Sequence, residues 1–221
     1  MPVETIITRA YFIRGGKLAA VGRKTVRTLA VGQAAIGALV TGPTAVERKI
    51  GFTTALPAGI ELKKIGKDGE RLTIELTKRI DRTAEAQVVT TLTQFASVHD
   101  VVVVTPAGHT PPLTRANFEK LMPAVLVETP TPLATVKSPL EVSGTSNTFE
   151  ATSQLELLGA DDKPIVSKTV TASSGTGERG TFHVTLHFEA PAGPATLVSY
   201  EESAKDGSHI DVVRIPIRIS N

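Results

Sequence analysis

The chain has 221 residues, 41% of them hydrophobic, and a formal net charge of +2. That length can bury one large core or two modest ones. Lys and Arg are interleaved with acids rather than gathered in a stripe, so no nucleic-acid partner is expected, and the lack of cysteine excludes disulfides, thiolate metal sites and a Cys nucleophile. No stretch reaches the ~18 apolar residues of a membrane-spanning helix. The start, Met-Pro-Val-Glu-Thr, lacks the basic and apolar regions of a signal peptide, which leaves a cytosolic protein or one whose leader has been removed.

Thr5 to Ile13 is rich in β-branched and aromatic residues and reads as a strand. Gly15-Gly16 permits a tight turn, and Leu18 to Val26 returns as a second strand. From Thr28 to Thr41 the residues Leu29, Gly32, Ile36, Leu39 and Val40 recur at helical spacing. Gly42-Pro43 stops that helix. Thr44 and Glu47 form a capping box opening a short helix that ends at Gly51. The basic pair Arg48-Lys49 suits that helix's C-terminal dipole.

Ile60 to Ile65 and Arg71 to Leu76 read as strands joined through Asp68-Gly69, a strong hairpin signal. A helix is expected from about Thr83 to Ala96, with Ala84, Val88, Leu92 and Phe95 on one face. Asp100 to Thr105 carries four consecutive valines, as a central strand covered on both sides would. Leu113 to Glu119 reads as a closing helix capped by Thr114. Residues 1–122 are therefore expected to form an α+β domain, a small sheet packed by two main helices.

Residues 123–139 carry four prolines, and 124–128 still look extended. Beyond them, short alternating runs recur: Leu140 to Val142, Ala151 to Leu158, Ile165 to Ala172, Phe182 to Phe188, Ala195 to Glu201 and Ile210 to Ile219. Turn signals rich in Gly, Pro and Asp separate them. This spacing predicts an all-β, immunoglobulin-like sandwich over residues 123–221. Within Ser138 to Glu150, Val142 and Phe149 are expected to point inward, Gly144 to permit a bend, and Asn147 to bond its local backbone.

No catalytic constellation emerges. His183 and His187 lie on one strand, about 13 Å apart, too far for one ion. Asp161-Asp162 and Glu201-Glu202 are adjacent pairs whose side chains diverge, unlike a general acid/base pair. The stretch Ser173 to Gly177 lacks the Gly-Lys-Ser/Thr ending of a phosphate loop and reads as a flexible hairpin. No catalytic residue, metal or cofactor is expected. With no Trp and two Tyr, a sugar-stacking platform is not expected either. The polar residues Glu201, Glu202, Ser203, Lys205, Asp206, Asn147 and Glu150 remain as a candidate interaction surface.

The first half resembles the GerMN domain of sporulation and germination proteins. The resemblance rests on Ala38 to Thr44 with Glu47 and Gly51, on Leu56 to Gly59, on Ala86 to Phe95 with Val98, and on Pro112 to Glu119. The second half resembles the immunoglobulin-like domain of bacterial spore germination. It does so through Val127-Glu128, Ser138 to Leu140, Val142 to Gly144, Asn147, Phe149 to Ala151, Gly180, Phe182, Ser203 to Ser208 and Val213 to Arg218. Leu133 stands where that family usually turns with Gly, and Arg179 where an aromatic is common. The resemblance implies a non-enzymatic envelope protein on the extracellular face of the membrane, lipid-anchored in full length, that binds or scaffolds other envelope proteins. An activator or localiser of a cell-wall hydrolase is the alternative. A cell-wall enzyme would need paired carboxylates or a metal site.

Overall fold

The computed structural model describes residues 4–26, 31–203 and 205–220. The chain divides into two compact units, Met1–Met122 and Pro123–Asn221.

The first unit opens with a hairpin of β1 (Thr5–Arg14) and β2 (Lys17–Val26), turned by Gly15 and Gly16 at φ 58° and 76°. Helix α1 (Val31–Thr41) buries Ala35, Ile36 and Leu39 and stops at Gly42. The start expected for it, Thr28 to Ala30, and Leu29 of its stripe lie outside the described residues. The short helix α2 (Ala45–Lys49) has the expected capping box. Glu47 does more than cap, because its carboxylate takes two bonds from Arg23 of β2, at 2.6 and 2.7 Å. Burial pushes the Glu47 carboxyl up, but the bonds from Arg23 and the Thr44 N–H, with Arg23's charge, outweigh it and hold it low.

Strands β3 (Leu62–Asp68), β4 (Arg71–Leu76), β5 (Asp100–Thr105) and β6 (Gly108–His109) make a four-stranded sheet in that order. The hairpin loop is Gly69 and Glu70, one position past the expected pair. The single small sheet expected from the sequence is thus two: this sheet and the separate hairpin of β1 and β2. The valine strand is not covered on both sides. Val101 and Val103 are buried while Val102 and Val104 are half-buried.

Helix α3 (Arg82–Leu92) starts at the N-cap Asp81 and ends four residues before the expected Ala96. Its buried residues go almost all round, and include Gln87, Thr90 and Thr91. The reason lies at the outer edge of β1. Arg9 N–H donates to Gln94 Oε1 (2.9 Å), and Gln94 Nε2 donates back to Arg9 C=O (2.7 Å). Tyr11 N–H donates to Thr91 Oγ1 (3.1 Å), and Gln87 Nε2 donates to Tyr11 C=O (2.9 Å). Ile13 exchanges two backbone bonds with Thr53. Every edge group from Arg9 to Ile13 on that side is thereby satisfied, as buried backbone must be.

The short 3-10 helix Arg115–Leu121 closes the unit. Arg115 donates to Tyr11 Oη, Thr90 C=O and Thr93 Oγ1. Arg82 lies 4.1 Å over the Phe118 ring.

The second unit is a sandwich. β7 (Val125–Thr129), β9 (Leu140–Ser146) and β12 (Gly180–Leu186) form one sheet in the order β12-β9-β7. β8 (Thr135–Val136), β10 (Thr152–Leu158), β11 (Pro164–Thr171), β13 (Gly193–Glu202) and β14 (His209–Ile219) form the other, in the order β11-β10-β13-β14-β8. Val142, Phe182 and Leu186 meet Leu155, Leu157, Leu197, Ile215 and Ile217 between the sheets. The prolines at 130 and 132 sit where the chain leaves one sheet for the other. Leu133 takes φ +67° there, and its N–H bonds Pro216 C=O at 2.7 Å. Gly144 is not a bend. A Cβ there would lie 2.0 Å from Leu126 C=O, so its bare Cα lets β7 and the Phe182 ring come close.

Two outcomes are expected. Gln87→Leu strands the Tyr11 C=O and the Ala55 N–H that Gln87 Oε1 accepts at 2.8 Å. It should cost about 3 kcal/mol by urea unfolding. Leu133→Gly removes a left-handed side chain at the cost of unfolded-state entropy, and should raise stability by about 0.5–1 kcal/mol in the same assay.

Candidate interaction surface

One end of the sandwich departs from regular strand geometry. After β9 the chain makes a 3-10 turn, Phe149–Ala151, in which Glu150 and Ala151 both take positive φ, 52° and 58°. Two consecutive left-handed L-residues cost about 1–2 kcal/mol each, so the surroundings must impose them. The β11–β12 connection does this. Thr176 N–H and Ala151 N–H both donate to Thr148 C=O. Gly177 N–H donates to Asn147 Oδ1 (2.9 Å), and Glu150 N–H to Thr176 Oγ1 (3.1 Å). A Cβ on Gly175 would lie 2.5 Å from Ala151 Cα, so only glycine lets the two loops interlock. The stretch Ser173 to Gly177 is therefore a packed clasp, not the flexible hairpin expected from its composition.

On top of this turn stands Phe149, 59% exposed. The expectation that it fills the core is wrong, and the reason is phase. Leu140, Val142, Gly144, Ser146 and Thr148 are buried, all at even positions, so 149 points outward. Phe182 takes the core place instead, at 5% exposure. Phe149 N–H donates to Glu201 Oε1 at 3.2 Å. Glu201 pairs across β13 and β14 with Ile210, itself 40% exposed. Beneath the turn, the hydroxyls of Ser146, Thr148 and Ser199 are buried without a hydrogen-bond partner among the described residues.

Comparison with known families decides what the two units are. Residues 9–104 match the model described as sporulation and spore germination, and residues 124–208 match the immunoglobulin-like domain of bacterial spore germination. The chain belongs to the family that joins a GerMN domain to this immunoglobulin-like domain. Among solved structures it is similar to the tandem GerMN domains of the sporulation protein GerM from Bacillus subtilis. The identity is 14% and the TM-score 0.41, over 83% of this chain and 62% of that one. A candidate lipoprotein from Clostridium perfringens follows at 18% identity and TM-score 0.32, covering 50% of this chain and 80% of that chain. CopC from Methylosinus trichosporium OB3b follows at 13% and 0.31, covering 43% and 93%. At these scores the structural likenesses carry no further argument. No curated protein matches the sequence.

The immunoglobulin-like domain brings together three of the seven residues expected on an interaction surface. Asn147, Glu150 and Glu201 converge on the Phe149 turn. Asn147 Oδ1 accepts from the N–H of Gly177, in a loop 30 residues away. Glu202 follows Glu201 and is exposed. Ser203, Lys205 and Asp206 belong to the next turn. There Ser203 Oγ accepts from the Lys205 N–H, and Asp206 Oδ1 from the Ser208 N–H and hydroxyl. The bonds from Ser208 hold the Asp206 carboxyl below its usual range. Ser203 and Asp206 thus shape that turn.

The histidines stay apart in role. His183 Nε2 lies 2.6 Å from Glu141 Oε2 on the outer face, and His187 falls beyond the end of β12. No group of three metal-binding side chains forms among the described residues. Phe149 was the residue that sequence reasoning misplaced, and the even phase of β9 was the signal that could have found it.

Exposure separates the two phenylalanines energetically. Phe149→Ala should change stability by no more than about 0.5 kcal/mol. Phe182→Ala should cost about 3–5 kcal/mol, both read from thermal or urea unfolding. A large loss in Phe149→Ala would place that ring in the core after all.

Proposed function

We propose that the protein is a non-enzymatic module of the bacterial envelope, acting in sporulation or germination, that holds other proteins through the Phe149 end of its immunoglobulin-like domain. The observation that carries this reading is an exposed aromatic ring on a turn held in left-handed geometry by a glycine clasp. Strain of that kind persists where surrounding structure enforces it, and it clusters at functional sites. Exposed aromatics at the centre of a patch are also the side chains that anchor protein interfaces. Family membership supports the sporulation setting, and neither matched family description names a catalytic activity. The proposed location is the extracellular face of the membrane, through a lipid anchor on the full-length protein. Among the described residues no helix is long and apolar enough to cross a membrane.

A photo-reactive phenylalanine analogue at position 149, expressed in the sporulating cell, tests this. Crosslinks to a defined envelope protein are expected from position 149. The control is position 187, at the opposite end of the three-stranded sheet. The captured protein's identity tells a cell-wall hydrolase from another envelope component. Crosslinking to no protein from position 149 would sink the reading. Release of fragments from purified peptidoglycan by the protein alone would sink its non-enzymatic part.

A further inference from the structure

The charges around Phe149 indicate what kind of partner this end can take. This inference rests on the protein-binding reading above. Residues 147–151 and 173–179 are linked there by the Asn147–Gly177 and Glu150–Thr176 bonds, and the β13–β14 hairpin end, residues 201–203 and 205–211, joins them through the Phe149–Glu201 bond. They carry Glu150, Glu178, Glu201, Glu202, Asp206 and Asp211. Among their described residues the cations are Lys205 and Arg179. Arg179 is turned back into its own unit, donating to Thr145 C=O and at 2.7 Å to Pro123 C=O. The chain as a whole is +2, so this acid surplus is local. The apolar part is equally local, with Phe149 59% and Ile210 40% exposed beside Glu201.

We propose that the surface centred on Phe149 binds a cationic, aromatic- or aliphatic-bearing segment of a partner protein, with the ring and Ile210 supplying contact area and the carboxylates supplying charge complementarity. An apolar anchor inside a ring of one charge sign favours partners of the opposite sign, steers their approach, and makes association fall with ionic strength. An exposed aromatic face also attracts Lys or Arg directly, through cation–π contact.

The test uses the whole 221-residue chain and two synthetic peptides. One is an unstructured peptide of lysine and phenylalanine, the other the same peptide with each lysine replaced by glutamate. Amide chemical shifts are followed by NMR. With the lysine peptide, shifts are expected at residues 147–151, 176–178 and 201–210, with affinity falling as salt is raised. Phe149→Ala should weaken binding tenfold or more. Glu150→Gln with Glu202→Gln, which leaves the turn's backbone bonds in place, should weaken it several-fold and flatten the salt dependence. Unchanged binding in Phe149→Ala, equal binding of the glutamate peptide, or shifts elsewhere on the chain would each overturn the cationic partner. If crosslinks from position 149 to an envelope protein persist in that case, the protein-binding reading stands and only the partner's chemistry is wrong.

Discussion

The first unit depends on how the free edge of β1 is closed. A two-stranded hairpin is marginal alone, and its outer edge presents N–H and C=O groups that must be satisfied if buried. Among the described residues no third strand does it, and backbone pairing on that edge is limited to the Ile13–Thr53 bridge. A helix runs beside the strand and lends side chains in place of a backbone. Gln87, Thr91 and Gln94 follow one another at intervals of four and three, so they line one face of the helical path. That face spans about 10 Å, enough to reach from Arg9 to beyond Tyr11 along a strand. Gln87 then serves a third segment, accepting from the Ala55 N–H and the Thr54 hydroxyl. One buried amide therefore joins the hairpin, the helix and the 52–56 segment. Arg115 adds a second tie by bonding Tyr11 Oη and two groups of the α3 region.

These ties explain what was legible in the sequence and what was not. Local signals read true because their physics is local. The Gly15-Gly16 turn, the Thr44–Glu47 capping box, the Gly42 stop and the period-two runs of the sandwich each depend on residues a few positions apart. The side-chain closure of β1 joins residues about 80 positions apart, and no periodicity announces it. Thr90, Thr91, Thr93 and Gln94 read as the surface of an amphipathic helix. Thr91 and Gln94 in fact bond the strand edge, and Thr93 meets Arg115. The pairing of Arg23 with Glu47 was missed for the same reason, since the capping box explained Glu47 without a partner 24 positions away.

In the second unit the misreadings were of phase and of packing. Phe149 is the largest apolar residue in its stretch, and size suggested the core. Alternation from Leu140 through Thr148 puts it outside, and alternation is the stronger argument for a half-covered strand. Gly144 and Gly175 looked like permissive residues. Both are required by close approach, Gly144 under β7 and Gly175 under Ala151. A glycine that lets backbones touch cannot be told by sequence from one that turns a chain. Leu133 shows the converse. Its backbone is left-handed although it carries a side chain, and its N–H is held by Pro216 C=O where the chain crosses between sheets.

Net charge misled in a related way. A total of +2 suggests a surface without strong fields. Yet the exposed edge strand β3 carries Lys63, Lys64 and Lys67, while the Phe149 end carries a surplus of acids. Lysines along an edge strand discourage another strand from pairing there, so their charge has a structural explanation. The carboxylates around Phe149 have only part of one. Glu201 holds the Phe149 N–H and Asp206 shapes its turn, but Glu150 and Glu202 stand exposed beside an apolar ring. Carboxylates placed there do nothing for the fold that a neutral side chain could not. Under the proposal above, they would set the sign of the partner that approaches the ring. Opposite local charges that cancel in the total can thus have different settings, an edge strand in one unit and a loop cluster in the other.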